Sequence, residues 1–497
     1  MQRRDFLKVS GGLSAHLIVG GSLLSIRQAE AETGLPIAAL QASLDPKKDL
    51  VLIPENKGSS KFDFDKSYQL RTQITPRVRV VAASAAAVGS AILWATNNGI
   101  DFAIRSGGHS YEGFSQSPDL VIDVRGMTAI KLSNDKKSVS IGSGSSLGSV
   151  YKALTPSHLA IPAGSCFPVG VAGHSLGGGF GLLGRPFGLA CDSILSMEMV
   201  DASGQIRTVS EQANPDLFWA LRGGGNGSFG VVTNFIFRTS AVNMVAKFGM
   251  EWNKTPAQGV KVMQAWQQWL EDLPSPITCT LHLEKAEKKK PGLIKLRVTG
   301  LSVQSASRLK VELRRLQSLA GAADDAPAIV TETFDLAATA FNGGKHAPVY
   351  ESILMKGKSD YVTEPMTDQG ILTLLGGLQK APVSMAVLCD SYGGAINKVA
   401  SDATAFVHRG NTKYSMQYYM EWTGADASDA HLLAMRTLYD SMRPFVSGRC
   451  YVNYCDLDLG NGYAKAYWGD NLPRLMKIKV QVDPKNIFKH AQSVPLS

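Results

Sequence analysis

The feature of this chain that most limits its fold is where its glycines fall. There are 49 among 497 residues, above the usual ~7%, and they bunch into RSGGHS, GSGSSLG, GHSLGGGFG and LRGGGNGSFG. Glycine weakens helices and strands, and it is placed where backbone must turn sharply or let another group come close. Several such loops in one chain predict backbone closing around a ligand. One of them, GHSLG from Gly173 to Gly177, also has the G-x-S-x-G spacing of a hydrolase elbow, which would make Ser175 a nucleophile. An elbow needs a buried strand entering the serine and a helix leaving it. Pro168, Gly170 and Gly173 lie on the strand side, and a run of glycines and Pro186 on the helix side, so the elbow is disfavoured.

The length suits two or more domains, and 44% hydrophobic with 19% charged residues is a globular composition. From about 76 to 240, short apolar runs (FAIRS, DLVIDV, SVSIGS, ILSMEMVDASG, VVTNFIFR) alternate with the glycine loops. A helix is expected over Ala85 to Asn98, with Val88, Ala91, Ile92 and Ala95 on one face and Gly99 as its stop. From 241 to 445 longer helical patterns, Ala257 to Leu273 and Ser305 to Ala320, stand between strand-like runs such as LIKLRVTGLSV and KYSMQYYMEW. This predicts a second domain, a sheet with covering helices. The segment 446–497 returns to motif-like spacing rich in tyrosine.

Residues 1–31 read as a twin-arginine export leader: Arg3 and Arg4, an apolar run through Ile26, and Ala29-Glu30-Ala31 as a small-residue cleavage site. The expected location is periplasmic or secreted. No later run approaches the ~18 apolar residues of a membrane span. The net charge of +9 is scattered without aromatic-interleaved basic stripes, so nucleic acid is not an expected partner. Six cysteines could form disulfides in an exported chain, but no C-x-x-C pair is present, and neither a zinc site nor any other metal is expected.

His109 in RSGGHSYEG and Cys166 in GSCFPVG are the reactive residues among the glycines. Alone, such a histidine is a hydrogen-bonding residue and such a cysteine a small hydrophobe. They occur, however, with GVAGHSLGGGFG, DLFWALRGGGNGSFGVVTNF, DSYGGAIN, TAFVHR, YVNYCDLD and WGDNLPRLMKIKVQVDPKNIF in that order. With this ordered set the chain, from about Thr75 to Phe488, resembles the berberine bridge enzyme-like flavoproteins of the vanillyl-alcohol oxidase superfamily.

The resemblance implies an α+β fold: a two-part PCMH-type FAD-binding domain (76–240), a substrate domain of antiparallel sheet covered by helices (241–445), and a C-terminal segment (446–497) returning to the FAD domain. It implies FAD held by two covalent bonds, from His109 to the flavin 8α carbon and from Cys166 to C6. Ser106 to Ser110, with Gly107 and Gly108, would line the pyrophosphate, since glycine turns aim several N–H groups at one anion, and Arg105 would also bind the cofactor. Gly173, His174, Gly177, Gly230, Val232 and Asn453 would hold the rest of the cofactor. No G-x-G-x-x-G opens a βαβ unit, so a Rossmann site is disfavoured. Tyr454 corresponds to the family's proton acceptor, although an unperturbed phenol with pKa ~10 is a poor base until a neighbour stabilises its phenolate. Tyr111 and Gln417 match further active-site positions; Gln417 replaces a carboxylate found in other members, which disfavours plant-type ring closure. Val169, three residues after Cys166, matches a gate beside the flavin that controls access of O2. The implied function is an oxidase of alcohol or hemiacetal carbons of a sugar or secondary metabolite, giving H2O2. A flavin dehydrogenase with another acceptor, and a flavin-binding protein without turnover, remain open.

Overall fold

The computed structural model describes residues 16–19, 22–54, 67–287, 289–342 and 351–497. Its architecture is the expected α+β. A four-stranded sheet has the order Leu50–Leu52, Val78–Val81, Leu120–Asp123, Phe102–Arg105, with only the Leu50–Leu52 edge antiparallel. Parallel neighbours need a crossover, and the helix Ala85–Asn97 supplies one. Ser84 caps it by accepting from the Ala87 N–H, Val88, Ala91, Ile92 and Ala95 are buried, and Gly99 at φ +64° turns the chain away. A second, antiparallel sheet runs Ile206–Ser210, Ile194–Val200, Val231–Arg238, Ser138–Gly142, Ile130–Leu132.

The third sheet is antiparallel and seven-stranded, in the order Ala328–Thr333, Met244–Lys254, Ile294–Ser302, Ile277–Lys285, Ala386–Ser391, Tyr414–Trp422, Leu354–Val362. The predicted helices are present as Pro256–Glu271 and Ala306–Ala320. With Asp368–Lys380 and Ser428–Ser441 they cover one face, where Trp252, Leu281, Leu296, Val387, Met416 and Tyr418 are buried. Burying each such side chain contributes about 2 kcal/mol. Alternation along the strands sends Ser415, Gln417 and Tyr419 to the opposite face, and there the sheet meets the first two sheets.

Lys479, on the helix Leu472–Val482, donates to the carbonyls of Ser228 at 2.7 Å and Phe488 at 2.6 Å and pairs with Asp483. Upstream of residue 76 the chain already contributes: Leu50–Leu52 pairs with Val78–Val81, and Ala29 is buried in the same apolar cluster as Val78, Val80 and Ile92. The expected cleavage triplet Ala29-Glu30-Ala31 thus lies within the helix Ile26–Thr33, whereas Arg3 and Arg4 lie outside the described residues. All six cysteines are free thiols, so the disulfides that six cysteines allowed are not formed. Among the described residues no helix is long and apolar enough to cross a membrane, and no cluster of potential metal ligands occurs.

Candidate active site

A cavity of about 1010 Å³ lies where the three sheets meet. The RSGGHS loop enters it from the end of the strand Phe102–Arg105. Its serine hydroxyls are used internally: Ser106 Oγ donates to the Ser143 carbonyl at 2.7 Å, and Ser110 Oγ accepts from the Phe114 N–H at 3.0 Å. A Cβ on Gly107 would sit 2.2 Å from the Gly170 nitrogen, so two glycine loops touch backbone to backbone. Gly108, at φ 71°, occupies the left-handed region that favours glycine. His109 stacks on Tyr68 at 4.3 Å between ring centroids. Burial, assisted by the Arg105 charge, lowers its pKa to about 3, so the imidazole is neutral at physiological pH.

Cys166 opens onto the same cavity, and burial in its walls pushes the thiol up to about 11. Val169 borders it as well. The next stretch is less of a loop than its glycines suggest, because Val171–Leu176 forms a short helix. Ser175 is inside that helix, fully buried, and its hydroxyl finds no hydrogen-bond partner; no elbow exists. Gly173 faces the cavity, and a Cβ there would meet no protein atom within 4 Å. His174, neutral because burial lowers its pKa to about 4, accepts at Nε2 from the Gly164 N–H at 3.0 Å. Gly230 and Val232 line the wall formed by the five-stranded sheet.

The turn Val452–Tyr454 brings in the C-terminal residues. The Asn453 amide donates to the His174 carbonyl at 2.9 Å and to Tyr451 Oη at 2.7 Å, and accepts from Asn226 Nδ2 at 2.7 Å. Tyr454 and Tyr111 stack with centroids 5.5 Å apart and planes within 5°. Gln417 Nε2 donates to Tyr111 Oη at 2.7 Å. Burial pushes the Tyr454 phenol well above 10, and the Asp390 carboxylate and Tyr451 push it further. The neighbours therefore oppose phenolate formation instead of assisting it as the base assignment requires.

Two expected cofactor residues do not line the cavity. Arg105 is 1% exposed; the strand alternation turns its side chain into the protein, where its charge acts on His109. Gly177 leaves room for Asn453, because a Cβ there would lie 2.0 Å from Asn453 Oδ1. The other expected residues all border the cavity. Sequence reasoning missed several more. Tyr68 comes from a segment without motif, and its hydroxyl lies 3.1 Å from that of Tyr419. His490 lies beyond the last recognisable motif, stacks on Phe114 at 4.6 Å, and reaches the Asn226 carbonyl through Nε2 at 2.8 Å. Tyr419 shares the face of Gln417, so strand alternation alone could have found it.

The cavity fits FAD: it holds about 1010 Å³, is walled by touching glycine loops, and is open at Gly173 where a side chain would intrude. Residues 76–210 match the FAD binding domain family, and residues 450–495 match the family described as berberine and berberine like. An uncharacterized FAD-linked oxidoreductase of Bacillus subtilis is 34% identical over 82% of this chain and 88% of its own length. The structure of Physcomitrella patens BBE-like 1 superposes with a TM-score of 0.82 at 29% identity, covering 93% of this chain and 99% of that one. Berberine bridge enzyme from Eschscholzia californica gives 0.83 at 26% identity, covering 92% and 98%. With its motifs, fold and cavity in agreement with these relatives, the chain belongs to the berberine bridge enzyme-like FAD-linked oxidoreductases.

Proposed function

We propose that the protein is an oxidase that takes hydrogen from an alcohol or hemiacetal carbon of a sugar or secondary metabolite, using FAD bound through both His109 and Cys166 and passing electrons to O2. The observation that carries this reading is the convergence of His109, Cys166, Tyr111, Gln417 and Tyr454 on one cavity. FAD, when bound, supplies the two-electron acceptor that no side chain provides. The neutral His109 imidazole keeps a lone pair for a bond to carbon, and the Cys166 sulfur opens onto the same space. Tyr454 accepts the substrate hydroxyl proton, and the parallel Tyr111 ring, held at its hydroxyl by Gln417, fixes the Tyr454 ring in place. Burial, Asp390 and Tyr451 hold the Tyr454 phenol well above 10, so its proton-accepting form is a minor species at neutral pH that grows as pH rises. Val169 is small enough to leave space for O2 beside the cofactor. The Arg3–Arg4 leader supports export by the twin-arginine route to the periplasm or beyond.

The test is retention of flavin after acid precipitation, with peptide mapping for flavin mass on both His109 and Cys166. His109→Ala and Cys166→Ala should each keep one link. Release of intact FAD by acid from the native protein overturns the two-bond reading. Anaerobic bleaching of the flavin by cellobiose, a hemiacetal sugar, or cinnamyl alcohol, an aromatic alcohol, tests the substrate class.

A further inference from the structure

Beneath the stacked tyrosines lies a cluster of charges that the proposed chemistry does not use. Lys356 is 2% exposed and Lys358 1%, both on the edge strand Leu354–Val362 of the seven-stranded sheet. Lys356 Nζ bridges Glu112 Oε1 at 2.5 Å and Asp456 Oδ1 at 2.6 Å, with Asp458 at 3.6 Å. Lys358 Nζ pairs with Asp456 at 2.7 Å and Asp458 at 2.6 Å. Arg71 pairs with Glu112 at 2.9 Å and also donates to the carbonyls of Tyr111 at 2.8 Å and Met355 at 2.6 Å. From the covering helix, Arg436 approaches Asp458 at 3.7 Å, and the Tyr439 ring lies 4.8 Å from Lys358.

Such a cluster is a poor way to gain stability, because desolvating the ions offsets much of their attraction and apolar side chains would serve as well. Its placement gives it another use. Glu112 directly follows Tyr111, and Asp456 is two residues after Tyr454. The strand carrying Lys356 and Lys358 pairs with the strand carrying Gln417, in the register Ser359 opposite Gln417. Tyr111 is therefore held at its hydroxyl by Gln417 and at its backbone by Arg71 and the Glu112–Lys356 bridge, all referred to the same sheet edge. Tyr454 is tied to that edge through Asp456.

We propose that the ion cluster centred on Lys356 is a positioning device: by bridging Glu112 and Asp456 it sets the spacing of the Tyr111–Tyr454 pair against the substrate sheet. The proposal rests on the reading of Tyr454 as proton acceptor. Without the lysine, Glu112 keeps only Arg71 and Asp456 only Lys358; the one cation that joins them is gone, their mutual repulsion is less screened, and the two tyrosine-bearing segments move apart. Misplacement of a reacting group by about 1 Å can cost about 10²-fold in rate.

The test compares flavin-loaded wild type, Lys356→Met, Lys356→Met with Glu112→Gln, Lys356→Arg and Tyr454→Phe. Two measurements are made on each: the Tyr111–Tyr454 ring separation in a crystal structure, and the anaerobic flavin reduction rate with cellobiose and with cinnamyl alcohol from pH 5 to pH 9. Lys356→Met should keep its flavin, widen the separation beyond 5.5 Å and slow reduction by about 10-fold or more. The deficit should shrink in the Glu112→Gln double variant. An unchanged separation with wild-type reduction overturns the proposal, and so does a deficit that Glu112→Gln does not relieve, since a merely structural loss behaves that way. If Lys356→Met does not fold, Lys356→Arg decides: it keeps the charge but changes the reach, and wild-type spacing and rate in it overturn the proposal. Undiminished reduction in Tyr454→Phe removes the base assignment, while the ring separations still judge the cluster.

Discussion

Replacing Gly177 by alanine tests whether the site is arranged around Asn453. The backbone there has φ −92°, which alanine adopts freely, so any cost is steric. The new Cβ would lie 2.0 Å from Asn453 Oδ1, 2.6 Å from Cγ and 2.9 Å from Nδ2. The amide must move, and in moving it gives up its bonds with His174, Tyr451 and Asn226. At about 1 kcal/mol net for each bond the loss is about 3 kcal/mol. The buried methyl returns about 0.8 kcal/mol, and the stiffer unfolded chain about 0.5–1 kcal/mol. A net destabilisation of about 1–2 kcal/mol remains, together with displacement of Asn453 from the cavity wall. The assay is the thermal midpoint of the flavin-free protein together with the flavin-to-protein absorbance ratio. Gly173→Ala is the control, because its methyl meets no protein atom within 4 Å and points toward the cavity. It should hold or raise the midpoint, as alanine favours the helix, while blocking flavin uptake. A Gly177→Ala protein with the wild-type midpoint and a full complement of flavin would refute the reasoning.

Tyr454→Phe should retain flavin but slow its anaerobic reduction by about 10²-fold. In the wild type, because burial raises the phenol pKa, that rate should climb with pH through the neutral range; a profile already flat below pH 7 would assign the proton transfer to another group. Val169→Leu should leave reduction by substrate near normal and markedly slow reoxidation by O2 in stopped-flow mixing, since an extra methylene fills scarce space in a packed wall. Equal reoxidation of both proteins favours the dehydrogenase alternative. Arg3→Lys with Arg4→Lys should leave the folded protein in the cytoplasm on fractionation, and normal export would remove the periplasmic assignment.

The sequence by itself determined the parts of this protein that depend on local backbone chemistry. Glycine bunching marked the loops that wall the cavity, because only glycine allows the approach of Gly107 to Gly170 or the φ of Gly108. Period-two alternation along KYSMQYYMEW puts Ser415, Gln417 and Tyr419 on one face whatever the packing, and apolar spacing gave the helix Ala85–Asn97 almost to the residue. His109, Cys166 and Tyr454 were legible because they sit inside ordered motifs. Tertiary structure alone decided what those residues face. Gly177 reads like its neighbours, yet it serves Asn453, 276 residues later in the sequence. Tyr68 and His490 carry no local signal, since their partners come from distant segments. Lys356 and Lys358 alternate along a strand as a solvated edge would, but the folded chain buries them against Glu112, Asp456 and Asp458. The direction of the Tyr454 pKa likewise comes from burial and from the charge of Asp390, 64 residues earlier in the sequence. Burial and charge pairing are set by which segments meet in space, and a residue's sequence neighbours do not contain that information.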